Sequence, residues 1–198
     1  MTIFVFESPP AVFIRVRKTG STSIVRGLFG GPDKASEISE GVFRQGWSSL
    51  FVFSFVRNPF ERMVSCFKMF KGYKVSNADE ARQRSELTLS RLMDIIEDDS
   101  IRFANVGTYM DKLKQHALPM THPSYHIDKA GFVGRFETYD KDFRELTGKL
   151  GLNVKEIPHH RNQKRATDWD YRPFFDADNR KRAERILQKD LDTFRYIF

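Results

Sequence analysis

Apolar residues fall along this chain in two alternating kinds of run. Residues 11–16 read Ala-Val-Phe-Ile-Arg-Val, a short apolar stretch with β-branched members that predicts a buried strand. A polar turn occupies residues 17–23, and Ile24, Val25 and Leu28 then open a helix. Residues 30–46 start as a loop, broken by Gly30, Gly31 and Pro32. Residues 50–56, Leu-Phe-Val-Phe-Ser-Phe-Val, are almost continuously apolar and predict a strand covered on both faces. Asn58 suits a helix N-cap and Pro59 the first helical position. Phe60, Met63, Val64, Phe67 and Phe70 then recur at helical spacing.

The second half is less regular. Residues 71–85 are polar and read as a loop. Leu89, Leu92, Met93 and Ile96 mark an amphipathic helix. Residues 104–130 fit no single pattern. Residues 131–136 read as a strand, and Tyr139, Phe143, Leu146 and Leu150 mark a helix stopped by Gly151. Residues 155–175 are basic and irregular. A last helix runs from about Asp176, with Ala183, Ile186, Leu187 and Leu191 on one face. The alternation predicts an α/β fold in one domain, residues 1–198, built on a mainly parallel central sheet. Ligands of such sheets bind where strand ends meet helix starts. The turns at 17–23 and 57–59 therefore lie on the expected functional edge.

Composition sharpens this picture in three ways. Hydrophobic residues make up 40% and phenylalanine alone has 19 copies, so the core should be largely aromatic. The net charge of +7 favours anionic partners. The basic residues are scattered among acids rather than forming a stripe with interleaved aromatics, which speaks against a nucleic-acid-binding module. Cys66 is the only cysteine, which rules out an intrachain disulfide and fits a reducing compartment. No apolar run is long enough to span a membrane, and residues 3–6 are too short for a signal sequence, so a cytoplasmic location is expected, with an excised lumenal domain as the alternative.

The turn at 17–23 is a candidate anion site. Gly20 would let an anion approach the backbone closely, and Thr19, Ser21, Thr22 and Ser23 carry hydroxyls. The helix that follows points its unbonded N–H groups and positive dipole end at the same place, and Lys18 adds a charge. A plain Ser/Thr-capped turn explains the same residues about as well. The nucleotide-triphosphatase loop does not, because it needs a glycine separated by four residues from a terminal Gly-Lys-Ser/Thr. That missing glycine also weakens a small-molecule kinase. At the second turn, Arg57 could clamp a phosphate with two parallel hydrogen bonds, or could simply pair with Glu61. The histidines lack ligand spacing with cysteine or carboxylates, so no metal site is expected.

Together the two turns resemble the membrane-type and bacterial sulfotransferases. Phe13-Ile14-Arg15-Val16-Arg17-Lys18-Thr19-Gly20-Ser21-Thr22-Ser23 is similar to their 5′-phosphosulfate loop, His-Ile-Pro-Lys-Thr-Gly-Gly-Thr-Ser. Phe55-Val56-Arg57-Asn58-Pro59-Phe60-Glu61-Arg62-Met63-Val64-Ser65 is similar to their 3′-phosphate motif. Phe132-Val133-Gly134-Arg135-Phe136-Glu137 and the ending 190–196 also look like family segments. The resemblance implies a three-layer, P-loop-like sulfotransferase fold. It implies 3′-phosphoadenosine 5′-phosphosulfate (PAPS) as donor and a hydroxyl or amine acceptor, whose identity stays open among a saccharide, a lipid, a peptide tyrosine and a small molecule. Lys18 would contact the bridging oxygen and the sulfuryl group, as both catalytic and donor-binding residue. Thr19, Gly20, Ser21, Thr22 and Ser23 would surround the 5′-phosphate, and Arg57 and Ser65 would hold the 3′-phosphate.

The chain departs from the pattern at Arg15 and Arg17, where relatives carry His and Pro. Several relatives also place a histidine between the two motifs, and this chain has none between Lys18 and Arg57. Candidates for the general base are then Glu37, Glu40, His116, His122 and His126. The missing histidine keeps a second reading open, a nucleotide-binding regulator of the same fold that performs no chemistry. The basic stretch 161–165 stands where relatives often have a loop over the nucleotide.

Overall fold

A computed structural model of the chain describes residues 3–29, 36–37, 50–102, 107–154 and 170–198. The backbone divides into two compact units. The first comprises residues 1–57 and 121–167, the second residues 58–120 and 168–198.

The first unit is a sheet with helices. Strands β1 (Ile3–Glu7) and β2 (Pro10–Ile14) form an antiparallel hairpin, with Ile3 opposite Ile14. Helix α1 is Ser21–Phe29, β3 Ser36–Glu37, β4 Phe51–Val56, β5 Phe132–Arg135, and helix α6 Tyr139–Lys149. The strand order is β3-β1-β2-β4-β5. β2, β4 and β5 run parallel, with Phe13 beside Phe53 and Phe53 beside Phe132. The expected α/β fold with a parallel core is thus observed, and the β1 hairpin and β3 add an antiparallel edge.

Strand alternation explains the aromatic core. Phe4, Phe6, Phe13, Phe53 and Phe55 face one side and pack with Ile24 and Val25 of α1 and Tyr139, Phe143 and Leu146 of α6. Phe13 and Phe53 stack with centroids 5.1 Å apart. Ile3, Val12, Ile14 and Val52 are buried on the opposite side, which is why β2 and β4 read as nearly unbroken apolar runs. Ser54, fully buried in β4, donates its hydroxyl to the Ile14 carbonyl at 2.8 Å, so its polar group is satisfied. Gly134 has no substitute at its position: a Cβ there would lie 2.5 Å from the Phe55 ring.

The second unit is helical. It contains α2 (Pro59–Lys71), α3 (Ala78–Ser85), α4 (Leu89–Glu97), α5 (Tyr109–Ala117) and α7 (Ala177–Phe194). Asn58 caps α2 by accepting from the N–H groups of Phe60 and Glu61, with Pro59 at the first position. Helix α3 occupies part of 71–85, which the polarity of the sequence suggested was loop. It buries no residue, so no apolar stripe betrays it; Asn77 caps it by accepting from Glu80 N–H at 2.9 Å. Arg62 is only 1% exposed, yet its charge is well placed. It donates to the carbonyls of Leu118 and His116 at 2.9 and 3.0 Å, at the end of α5 where helix carbonyls lack internal partners.

Within the ambiguous stretch, residues 107–130 are described, and a capping box starts their helix. Thr108 accepts from Asp111 N–H at 3.2 Å, and the Asp111 carboxylate accepts from Thr108 N–H at 3.0 Å. Burial of Asp111 opposes its charge, but bonds from Thr108 and from Arg102 outweigh burial and hold its carboxyl below the usual value. A depressed folded value makes the contribution fully present above the unfolded value, about 3.9, and lost as pH falls through the folded one. Asp111→Asn is therefore expected to lower stability by about 1 kcal/mol at neutral pH. Urea unfolding of both proteins across acid pH checks this: the gap should close in strong acid, and a gap constant with pH would show that the charge is not its source.

Candidate functional site

The turn between β2 and α1 is shaped by two left-handed residues. Lys18 has φ 69° and Gly20 has φ 80°. Glycine takes that region freely, whereas lysine does so at a cost of about 1–2 kcal/mol. Thr19, fully buried between them, donates its hydroxyl to the Val16 carbonyl at 2.9 Å and pins the turn to the strand end. The Gly20 carbonyl accepts from the N–H groups of Ser23 and Ile24, at 2.9 and 3.4 Å, and so starts α1. Ser21 and Ser23 are buried and Thr22 half-buried in that first turn, which contains no acidic residue. The N-terminal end of α1 therefore keeps its positive character.

Arginines flank the turn on both sides. Arg15 Nε donates to Ser21 Oγ at 3.2 Å. Arg57, directly after β4, donates from Nη1 to the Lys18 carbonyl at 3.3 Å. Its guanidinium lies 4.3 Å from the centroid of the Phe136 ring. Phe136 is fixed in turn because its N–H donates to the Val56 carbonyl at 2.8 Å, one step beyond the β4–β5 ladder. The same ring lies against Gly20, where an added Cβ would come within 3.2 Å of Phe136 Cδ2. Residues distant in sequence thus meet at one strand-end turn.

Of the residues singled out from sequence, Lys18, Thr19, Gly20, Ser21, Thr22, Ser23 and Arg57 all belong to the first unit, and Arg57 is brought against the turn. Ser65 lies on α2 in the second unit, half-buried. Among the base candidates, Glu37 lies in β3, paired with Phe4. His116, on α5 of the second unit, holds its Nδ1 2.7 Å from the Lys112 carbonyl, a contact that places the proton on Nδ1. His122 caps a short 3₁₀ turn, its Nδ1 accepting from Ser124 N–H at 3.2 Å, and His126 has φ 52°. Glu40 and the basic stretch 161–165 lie outside the described residues. Among the described residues no group of His, Cys, Asp and Glu side chains could hold a metal ion. No described helix is long and apolar enough to cross a membrane. The support that Phe136 gives Arg57 was not legible beforehand; its only sequence signal was its place after Gly134-Arg135.

Comparison with known proteins agrees with the class of protein this turn suggests. The model of the sulfotransferase family matches residues 1–197, and the chain belongs to that family, a family of transferase enzymes. Among solved structures it is similar to a sulfotransferase from Alicyclobacillus acidocaldarius, with 16% identity and a TM-score of 0.40. That match covers 78% of this chain and 61% of the other, so the chain spans about three fifths of that protein's length. No curated protein matches the chain.

Proposed function

We propose that the chain transfers a sulfuryl group from PAPS to a hydroxyl or amine of an acceptor, a saccharide or another small molecule. The carrying observation is the 17–23 turn, with left-handed Lys18 and Gly20 ahead of an acid-free helix start and Arg57 bonded to its backbone. A turn whose φ alternates in sign curls successive N–H groups around a concavity suited to anions. A cradle closed by side chains would not fit a phosphate; here Gly20 leaves open the space that a Cβ would fill against Phe136.

The donor, when bound, supplies a sulfuryl group activated by a phosphate leaving group. The chain's part is electrostatic. Lys18 and the N–H groups at the start of α1 stabilise the negative charge that grows on the leaving oxygen. Ser21, Thr22 and Ser23 offer donors to the 5′-phosphate, while Thr19 serves through its backbone, its hydroxyl being engaged with Val16. Arg57 holds the 3′-phosphate. The acceptor's proton passes to a base among Glu37, Glu40, His116, His122 and His126.

Thermal melts test the nucleotide reading. At a hundred times its dissociation constant, 3′-phosphoadenosine 5′-phosphate should add about 2.7 kcal/mol of stability. Adenosine 5′-phosphate at the same concentration should add much less. Equal shifts from the two would remove the 3′-phosphate from the proposal.

A further inference from the structure

Phe136 is a large aromatic residue that stays only half-buried while its ring touches both turns. On one side the Arg57 guanidinium sits 4.3 Å from the ring centroid. Gly20 lies against the ring, close enough that a methyl group there would crowd it at 3.2 Å. The Arg57 fork also reaches the Lys18 carbonyl at 3.3 Å. A guanidinium is planar, and stacking on an aromatic face restricts its plane while leaving its N–H edge able to donate. The backbone bond from Phe136 N–H to the Val56 carbonyl holds the ring's base to the same strand end from which Arg57 emerges.

We infer that Phe136 is a positioning residue: its ring sets the plane of the Arg57 guanidinium and thereby the preference for nucleotides carrying a 3′-phosphate. The inference rests on the proposed role of Arg57 at that phosphate. Phe136 touches no reacting atom in this scheme; it removes the rotamer freedom that a long side chain would otherwise lose on binding. A ring that served only as packing would affect stability without affecting selectivity.

The deciding quantity is the ratio of affinities for 3′-phosphoadenosine 5′-phosphate and adenosine 5′-phosphate, measured by calorimetry. Phe136→Leu should lower that ratio by about 3- to 30-fold, the range expected for a lost cation–π contact. Phe136→Tyr, which keeps the ring, should preserve it. In an Arg57→Ala background, Phe136→Leu should leave the ratio where Arg57→Ala alone puts it. If Phe136→Leu destabilises the fold too far for calorimetry, Phe136→Met carries the same comparison. A wild-type ratio near one would overturn the 3′-phosphate role of Arg57 itself. A high wild-type ratio that Phe136→Leu leaves unchanged would overturn the positioning role alone.

Discussion

Lys18→Ala is expected to leave the fold intact and to lower sulfuryl transfer by about a hundredfold or more, the effect typical of losing one transition-state donor. Affinity for 3′-phosphoadenosine 5′-phosphate should fall far less, because the charge that Lys18 meets is largest in the transition state. The backbone supplies a control. Lys18 sits at φ 69°, where any residue with a Cβ is strained, so alanine keeps the strain and glycine relieves it. Lys18→Gly should therefore be more stable than Lys18→Ala by about 1 kcal/mol, yet equally poor at transfer. Radiolabelled donor, a panel of acceptors and a urea unfolding curve for each variant provide the measurements. Transfer that survives Lys18→Ala would remove Lys18 from the mechanism. A wild-type protein that binds the donor tightly but sulfates no acceptor would instead favour the regulator that performs no chemistry.

Legibility followed the source of each element's stability. The parallel core could be read because Phe13, Phe53 and Phe55 on one face and Val12, Ile14 and Val52 on the other are buried together, and such strands announce themselves as apolar runs. Helix α2 could be read twice over, from its Asn58-Pro59 start and its apolar spacing. Helix α3 could not, since it buries nothing and depends on its cap and on charges in its first turn. Helix α5 was obscured for a different reason: Tyr109, Leu113 and Ala117 recur one turn apart, but Asp111, Lys114 and Gln115 are buried among them, so polarity does not mark its exposed face. At the candidate site, residue types and spacing were visible in the chain. The left-handed conformation of Lys18 was not, because lysine carries no local preference for it and the surrounding contacts impose it. The contact of Phe136 with Arg57 depends on the register of β5 beside β4, which no local pattern reveals.

Arg57 yields the second large effect, and the structure sharpens what its loss should do. The side chain has two jobs in the proposed scheme. By its fork it would hold the 3′-phosphate; by Nη1 it already supports the Lys18 carbonyl, at 3.3 Å. Two charge-assisted hydrogen bonds to a dianion are each worth about 1.5–3 kcal/mol. Arg57→Ala should then weaken 3′-phosphoadenosine 5′-phosphate by about a hundredfold or more. Adenosine 5′-phosphosulfate, which lacks the 3′-phosphate, should lose only the indirect support of the turn, about tenfold or less for one modest hydrogen bond. Arg57→Lys keeps a charge but neither the fork nor the guanidinium that lies over Phe136, so its losses should fall between wild type and alanine. Calorimetry with both nucleotides on the three proteins separates the two jobs. Unequal losses, larger for the 3′-phosphorylated ligand, support the clamp. Equal losses for the two ligands would leave Arg57 as a brace for the Lys18 turn and withdraw the 3′-phosphate from its role.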